Sequence, residues 1–260
     1  MAVYEVSYCL VSDIGKIRKI NQDNFICNGI YLRNHEGKMD DPITGVYDGK
    51  GDLLIGVFDG MGGEEHGEMA SLLASETAAV TERAEDEDPV DMLLGLCDRA
   101  NEKIYKYAAE NNIESMGTTG ALLYFAKDGI TLCNIGDSRI FRFVDGVLKQ
   151  ISFDHVAPYK VGGKPPLSQN LGIPPEEMQI DPYVATGEYQ DGDIYLICSD
   201  GLTDMVDEEE ISRIISAYSI KDAVPKLLRT ALENGGKDNT TVILCRVKKK
   251  KTGLFGLFGR

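Results

Sequence analysis

Histidine is scarce in this chain: His35, His66 and His155 are the whole complement in 260 residues. A zinc or iron centre built on histidine nitrogen is nearly excluded. Cysteine is present but never paired. Cys9, Cys27, Cys97, Cys133, Cys198 and Cys245 lie far apart, mostly inside apolar stretches, and form no C-x-x-C. That pattern excludes a zinc or disulfide framework and reads as small buried hydrophobes in a reducing compartment. Long apolar runs are missing as well. No segment approaches the roughly eighteen apolar residues of a membrane-spanning helix. The opening "MAVYEVSYCL" lacks the basic-then-apolar order of a secretory signal, so a cytoplasmic location is expected. Positive charge is in deficit, with 27 Lys and Arg against 42 Asp and Glu and a net charge of −15. Such a surface repels nucleic acid. Much of the surplus acid sits in solvated runs, "ERAEDEDP" (82–89) and "VDEEE" (206–210), which suit loops and helix starts.

What is present is patterned. The hydrophobic fraction, 43%, is enough for one large core or two small ones. Short strands are legible at 3–9, 25–32, 53–58, 119–126, 130–135, 139–144, 147–152, 193–198 and 240–247. Asp128-Gly129 and Asp145-Gly146 stand between pairs of them, a strong hairpin signal. Helical periodicity appears in two blocks, 65–84 with 89–111 and 207–219 with 221–236. Pro225 is read into the first turn of the last helix, where proline is tolerated, and Gly235-Gly236 ends it. Strands in groups and helices in pairs predict an α+β fold with antiparallel sheets. The Pro- and Gly-rich stretch 155–177 is expected to be an irregular surface loop.

Five carboxylates mark the ends of apolar strands: Asp23, Asp59, Asp137, Asp200 and Asp238. Two follow the order apolar run–Asp–Gly, in "LLIGVFDG" and "DIYLICSDG". One such Asp is ordinarily a turn residue. Five of them, with few histidines and no paired thiols, favour hard divalent ions held by oxygen, Mg²⁺ or Mn²⁺. Carboxylates can bridge two such ions, and a glycine after the acid lets a backbone carbonyl approach as well. Arg18, five residues before Asp23, supplies the planar fork that grips phosphate.

The segments "SDIGKIRKINQDN" (12–24), "VFDGMGG" (57–63), "MGTTGALL" (116–123), "NIGDSR" (134–139), "FDH" (153–155), "LSQNLGI" (167–173), "CSDGLTD" (198–204) and "KDNTTVIL" (237–244) stand in the order found in one family. Each is weak alone, but the ordered set is specific. The chain resembles the metal-dependent serine/threonine protein phosphatases of the 2C type, their bacterial members above all, over about residues 3–247. The resemblance implies a four-layer α-β-β-α sandwich, two central antiparallel sheets flanked by helical pairs. It implies phosphoserine/phosphothreonine hydrolysis by direct attack of a hydroxide bridging two Mn²⁺ or Mg²⁺ ions. Asp59 would bridge the metals and the Gly60 carbonyl would ligate one. Asp200 and Asp238 would complete the first shell. Asp23 would hold the second metal's waters, with Gln22 beside it. Arg18 would hold the phosphate, and Asp137 with Asp200 a third, looser ion. Substrates would be phosphoproteins, the targets of a Ser/Thr kinase, and a monomer is expected.

Three departures stand out. Met61 occupies the position after Asp-Gly where animal relatives carry a histidine, so the leaving group's proton must come from elsewhere, a metal-bound water being the expected source. Gln22 replaces a frequent acid. The stretch between Asp154 and "LSQNLG", where relatives carry a substrate-facing flap, is short. A cysteine-nucleophile phosphatase is the rival chemistry, because C-x5-R occurs at Cys27–Arg33 and Cys133–Arg139. That loop should lead into a helix N-terminus, and both stretches are strand-like. The D-x-D in "DGDIYL" (191–196) precedes its strand and reads as a turn. A phosphoprotein-binding pseudophosphatase would be expected to have lost ligands, and all the core acids and Arg18 are present. His66 and His155 read as a helix-start and a loop residue. Beyond a catalytic domain at 1–247, the tail "KKKKTGLFGLFGR" (248–260) reads as a disordered solubilising segment or as a weak contact to anionic lipid through its lysines, Phe255 and Phe258.

Overall fold

Runs such as Leu53–Phe58 and Thr240–Cys245 are apolar without a regular wet face, which suits strands covered on both sides. The computed structural model describes residues 4–33, 38–61, 66–127, 129–162 and 164–250. Along these the strands are β1 (Tyr4–Asp13), β2 (Asp23–Cys27), β3 (Ile43–Tyr47), β4 (Leu53–Met61), β5 (Gly117–Thr118), β6 (Gly120–Ala126), β7 (Gly129–Ile135), β8 (Arg139–Val144), β9 (Val147–Gln150), β10 (Tyr183–Gly187), β11 (Ile194–Cys198) and β12 (Thr240–Lys249). The helices are α1 (Gly67–Ala79), α2 (Pro89–Glu110), α3 (Asp200–Thr203), α4 (Glu208–Ala217) and α5 (Ile220–Glu233).

Two antiparallel sheets result. One runs β3-β1-β12-β11-β8-β9. The other runs β10-β7-β6-β4-β2, with β5 added beside the end of β4. Phe25, Ile55, Phe125, Ile197 and Ile243 fill the gap between them. Outside one sheet, Phe58 and Leu122 meet Leu73 and Leu93 of the α1–α2 pair. Outside the other, Leu196 and Leu244 meet Ile211 and Leu227 of the α4–α5 pair. The molecule is therefore the expected α-β-β-α sandwich. All six cysteines are buried and free, as strand or helix packing residues.

Several local expectations change. The strand read at 25–32 ends at Cys27. Asn28 (φ 49°) and Gly29 (φ 82°) turn the chain there, and Cys27 pairs with Ile30. Asn-Gly is a type I′ signal, and it outweighs the apolar flanks. Asp145 (φ 51°) and Gly146 (φ 84°) make the anticipated β8–β9 hairpin, while Asp128 lies outside the described residues. Strands β3 and β10 are not legible in the sequence. They are edge strands, short and half-exposed, without an apolar run. Pro225 is the sixth residue of α5, inside its second turn, because the helix starts at Ile220 behind Ser219. It forgoes the bond to the Lys221 carbonyl that a first-turn position would not have needed. Pairing in β12 continues through Lys249, opposite Tyr4, so two tail lysines belong to the sheet. Phe255 and Phe258 lie outside the described residues.

Candidate active site

In antiparallel sheets the start of one strand lies beside the end of its neighbour. Asp23 opens β2 and Asp59 stands near the end of β4. Asp200 follows β11, Asp238 precedes β12, and Asp137 lies between β7 and β8. All five therefore gather at one end of the sandwich. Asp23 and Asp59 are direct register partners across β2 and β4. Opposed residues share a face with their Cβ atoms about 5 Å apart, and like charges so placed repel.

The protein's own groups relieve that repulsion only in part. Asp23 is buried. Its Oδ2 accepts from Ser199 Oγ and Thr241 Oγ1, each at 2.7 Å, while Oδ1 has no partner. Burial raises its pKa to about 7 against the two hydroxyl hydrogen bonds, and Asp200 and Asp238 push the same way. Burial, then Asp23 and Asp200, hold the Asp59 carboxyl well above the usual range. Burial and Asp200 raise Asp137 to about 6 despite Lys164. Asp200 is raised by burial too, with Lys164 opposing. A cluster of oxygen donors that resists ionisation for want of cations fits hard divalent ions.

Asp59, Gly60, Asp137, Asp200 and Asp238 line a cavity of about 320 Å³ together with Arg18, Gln22, Met61 and Lys164. Asp23, the buried cross-strand partner of Asp59, is not among the residues that line it. Among the described residues no three acidic, histidine or thiol side chains yet converge as a ligand set. Two side-chain cations pair with acids here. Arg18 Nη2 donates to Asp238 Oδ2 at 2.7 Å, and Lys164 Nζ donates to Asp200 Oδ2 at 2.7 Å and also reaches Asp204. Burial works against the charge on Lys164, but Asp200 and Asp204 outweigh it and raise its pKa.

Much of the supporting frame is not legible in the sequence. Asn239 Oδ1 accepts from the Gln22 amide at 2.8 Å. Its Nδ2 donates to the carbonyls of Ile14 at 2.9 Å and Ile20 at 3.0 Å. One amide side chain thus pins both ends of the loop that carries Arg18. Thr119 Oγ1 accepts from the Asp59 amide, and Thr118 Oγ1 donates to the Asp59 carbonyl. His155, expected as a plain loop residue, is buried. Its amide donates to the Gly136 carbonyl at 3.0 Å and its Nδ1 accepts from the Gly136 amide at 3.2 Å, clasping the turn before Asp137. Burial lowers the His155 pKa, which keeps that nitrogen free to accept. His66 does stand at a helix start, the N-cap of α1. The stretch 155–177 is not wholly a surface loop, since Leu171 is buried and pairs with Thr118 while Lys164 and Leu167 reach the cavity. Glycine is required at two acids' neighbours. A Cβ on Gly60 would stand 2.0 Å from the Gly67 carbonyl oxygen, and one on Gly201 1.9 Å from that of Asn239.

A model of the protein phosphatase 2C family matches residues 33–235. This chain belongs to the protein phosphatase 2C family. The matched span holds Asp59, Asp137 and Asp200, and Arg18, Asp23 and Asp238 fall outside it. Among curated relatives, the serine/threonine protein phosphatase PstP of Mycobacterium tuberculosis is 32% identical over 213 residues. That match covers 76% of this chain and 41% of PstP, so the chain spans less than half of that relative's length. The serine/threonine phosphatase stp of Listeria monocytogenes is 30% identical over 257 residues, covering 90% of this chain and 92% of stp. Among solved structures, the catalytic domain of PstP in complex with two manganese ions superposes with a TM-score of 0.74 at 28% identity. It covers 95% of this chain and all of that one (100%).

The cysteine chemistry weighed against this family finds no support. Cys27 lies in β2, and Cys133 lies in β7 with its Sγ 3.6 Å from Cys97 Sγ. The hydrogen bond with Cys97 and burial both raise the Cys133 thiol. Arg139 is committed to Asp154 through two bonds, at 2.9 and 2.6 Å. The residues of "DGDIYL" form a turn and the start of β11, with Asp193 buried as an ion-pair partner.

Proposed function

We propose that this chain is a Mn²⁺- or Mg²⁺-dependent protein phosphatase that hydrolyses phosphoserine and phosphothreonine. The observation that carries the reading is the opposed pair of buried Asp23, with one oxygen left unpartnered, and half-buried Asp59, which lines the same cavity as Arg18. Asp59, Asp200, Asp238 and the Gly60 carbonyl are the groups to hold one ion. Asp59 and Asp23, beside Gln22, serve the second, and Asp137 with Asp200 a third. Divalent ions bound there supply the Lewis acidity that activates water at neutral pH and offsets charge developing at phosphorus. Arg18 is 44% exposed and its guanidinium opens to the cavity, so a substrate phosphate competes with Asp238 for its fork. The Met61 thioether has no proton to give, so protonation of the leaving oxygen falls to water. Cleavage is a simple hydrolysis, water adding to phosphorus as the P–O ester bond breaks to give alcohol and phosphate.

The wider setting follows the same reading. Substrates are phosphoproteins made by a Ser/Thr kinase, and the protein acts as a monomer in the cytoplasm, where six unpaired thiols are at home. No helix among the described residues is long and apolar enough to cross a membrane. The lysine-rich tail is proposed to make a weak contact with anionic lipid. Cosedimentation of full-length protein and a 1–247 truncation with anionic vesicles checks this, and equal binding refutes it.

The decisive experiment is aryl-phosphate hydrolysis with Mn²⁺, repeated with chelator and with Cys133→Ser. Activity should vanish with chelator and survive the cysteine change. The reverse outcome overturns the reading, as does inactivity of the metal-loaded protein.

A further inference from the structure

The larger depression near the site is not the catalytic cavity. Beside it lies an open groove of about 1260 Å³, walled by the C-terminal end of α2, the turn 111–116 and residues 170–177. Its volume exceeds that of a site for a small molecule and suits a stretch of polypeptide. Met61 lines both depressions. It pairs with Gly117, which also lines the groove, just as Asp59 and Gly60 on the same strand line the catalytic cavity. At about 3.3 Å per residue along a strand, the groove begins about 7 Å from Asp59, the distance of about two residues of an extended chain.

The two depressions differ in charge. The catalytic cavity carries Arg18 and Lys164. Among the described residues the groove is lined by no lysine or arginine, while Glu114 and Glu177 are exposed lining residues, one from the turn after α2 and one from the segment after Leu171. Neither glutamate takes part in a salt bridge among the described residues. Tyr107 and Ile113 add apolar surface to the groove.

We propose that this groove binds the polypeptide flanking the phosphorylated residue, and that Glu114 and Glu177 make it prefer substrates with lysine or arginine there. The inference rests on the phosphatase reading and adds a substrate class to it. An acidic flank would meet two carboxylates and a body of net charge −15.

The test uses full-length protein with Mn²⁺ and three substrates: an aryl phosphate and two phosphothreonine peptides differing only in Lys/Arg or Glu flanks. The basic peptide should show the higher kcat/KM, through KM, by about fivefold, as expected for two exposed charge pairs. The preference should shrink at high salt, on the order of 0.5 M. Glu114→Lys/Glu177→Lys should abolish or reverse it, Glu114→Gln/Glu177→Gln should halve it or more, and hydrolysis of the aryl phosphate should not change. Equal rates on the two peptides, a preference for the acidic one, or a basic preference untouched by charge reversal would each overturn the proposal while leaving the phosphatase intact. Failure to cleave the aryl phosphate would overturn the underlying reading instead.

Discussion

Strand β11 carries a buried or nearly buried acid at each end, and the two ends could hardly differ more. Before the strand, Asp193 accepts from Arg142 Nη2 at 2.6 Å, the Gln190 amide at 2.8 Å and Tyr195 Oη at 3.2 Å. Its charge is matched, and all three bonds fall on Oδ2. At the other end, Asp200 joins Asp23 and Asp59, acids that face one another, with one buried oxygen unpartnered and Lys164 reaching in from a distant loop. The same residue type at two ends of one strand does two jobs. Where the chain supplies the countercharge, the acid braces the fold. Where it does so only in part, the acids keep a repulsion that a further cation relieves.

The comparison breaks most sharply on activity. Asp59→Asn should lower kcat for an aryl phosphate in Mn²⁺ by at least about 10²-fold, whereas Asp193→Asn should leave kcat within about twofold. Steady-state assays of both variants decide it. Stability should respond in the opposite order. Asp193→Asn strips Arg142 of its countercharge and should cost about 2 kcal/mol, lowering Tm by roughly 4–8 °C. Asp23→Asn in chelator removes an uncompensated buried charge and should raise Tm by roughly 2–4 °C at about pH 8. A fall on Asp23→Asn would mean that the acids at this end are already compensated.

Acidity sharpens the same contrast. In the metal-free fold Asp23 keeps its proton up to about pH 7, against 3.8 for an ordinary aspartate. Between those values the folded state binds more protons than the unfolded one, so this contribution is full at low pH and is lost as pH rises through about 7. The Tm advantage of Asp23→Asn over wild type in chelator should therefore shrink from about pH 8 to about pH 6. A pH-independent difference refutes it. The smallest effect belongs to Lys164→Met. Freed of its internal cation, the Asp200 side should bind Mn²⁺ about two- to fivefold more tightly by calorimetry, an effect that salt weakens because Lys164 is 54% exposed.

Much of the site is written locally in the sequence. Strand-end acids announce themselves because an apolar run that stops on Asp-Gly is a local pattern, and their number argues for an ion. The hairpin at Asp145-Gly146 and the helix starting behind Asp88, whose carboxylate caps the Val90 amide, are local for the same reason. The misses are the contacts between residues far apart in the chain. Asn239 holds a loop 217 residues earlier, and Ser199 reaches Asp23 across 176. Lys164 belongs to no motif and gains meaning from lying against Asp200. Edge strands β3 and β10 lack the two-sided burial that makes the central strands visible.

By itself, then, the sequence determined the chemistry on offer: oxygen donors instead of nitrogen or sulfur, thiols spent on packing, an arginine close before the first of the strand-end acids, and grouped strands with helical pairs. Only the tertiary structure decided that Asp23 and Asp59 stand directly opposed, that Lys164 supplies an internal countercharge, and that an acidic groove opens beside Met61. The physical reason is that residue type and local periodicity are written along the chain, whereas charge compensation depends on distances that exist once the two sheets have packed.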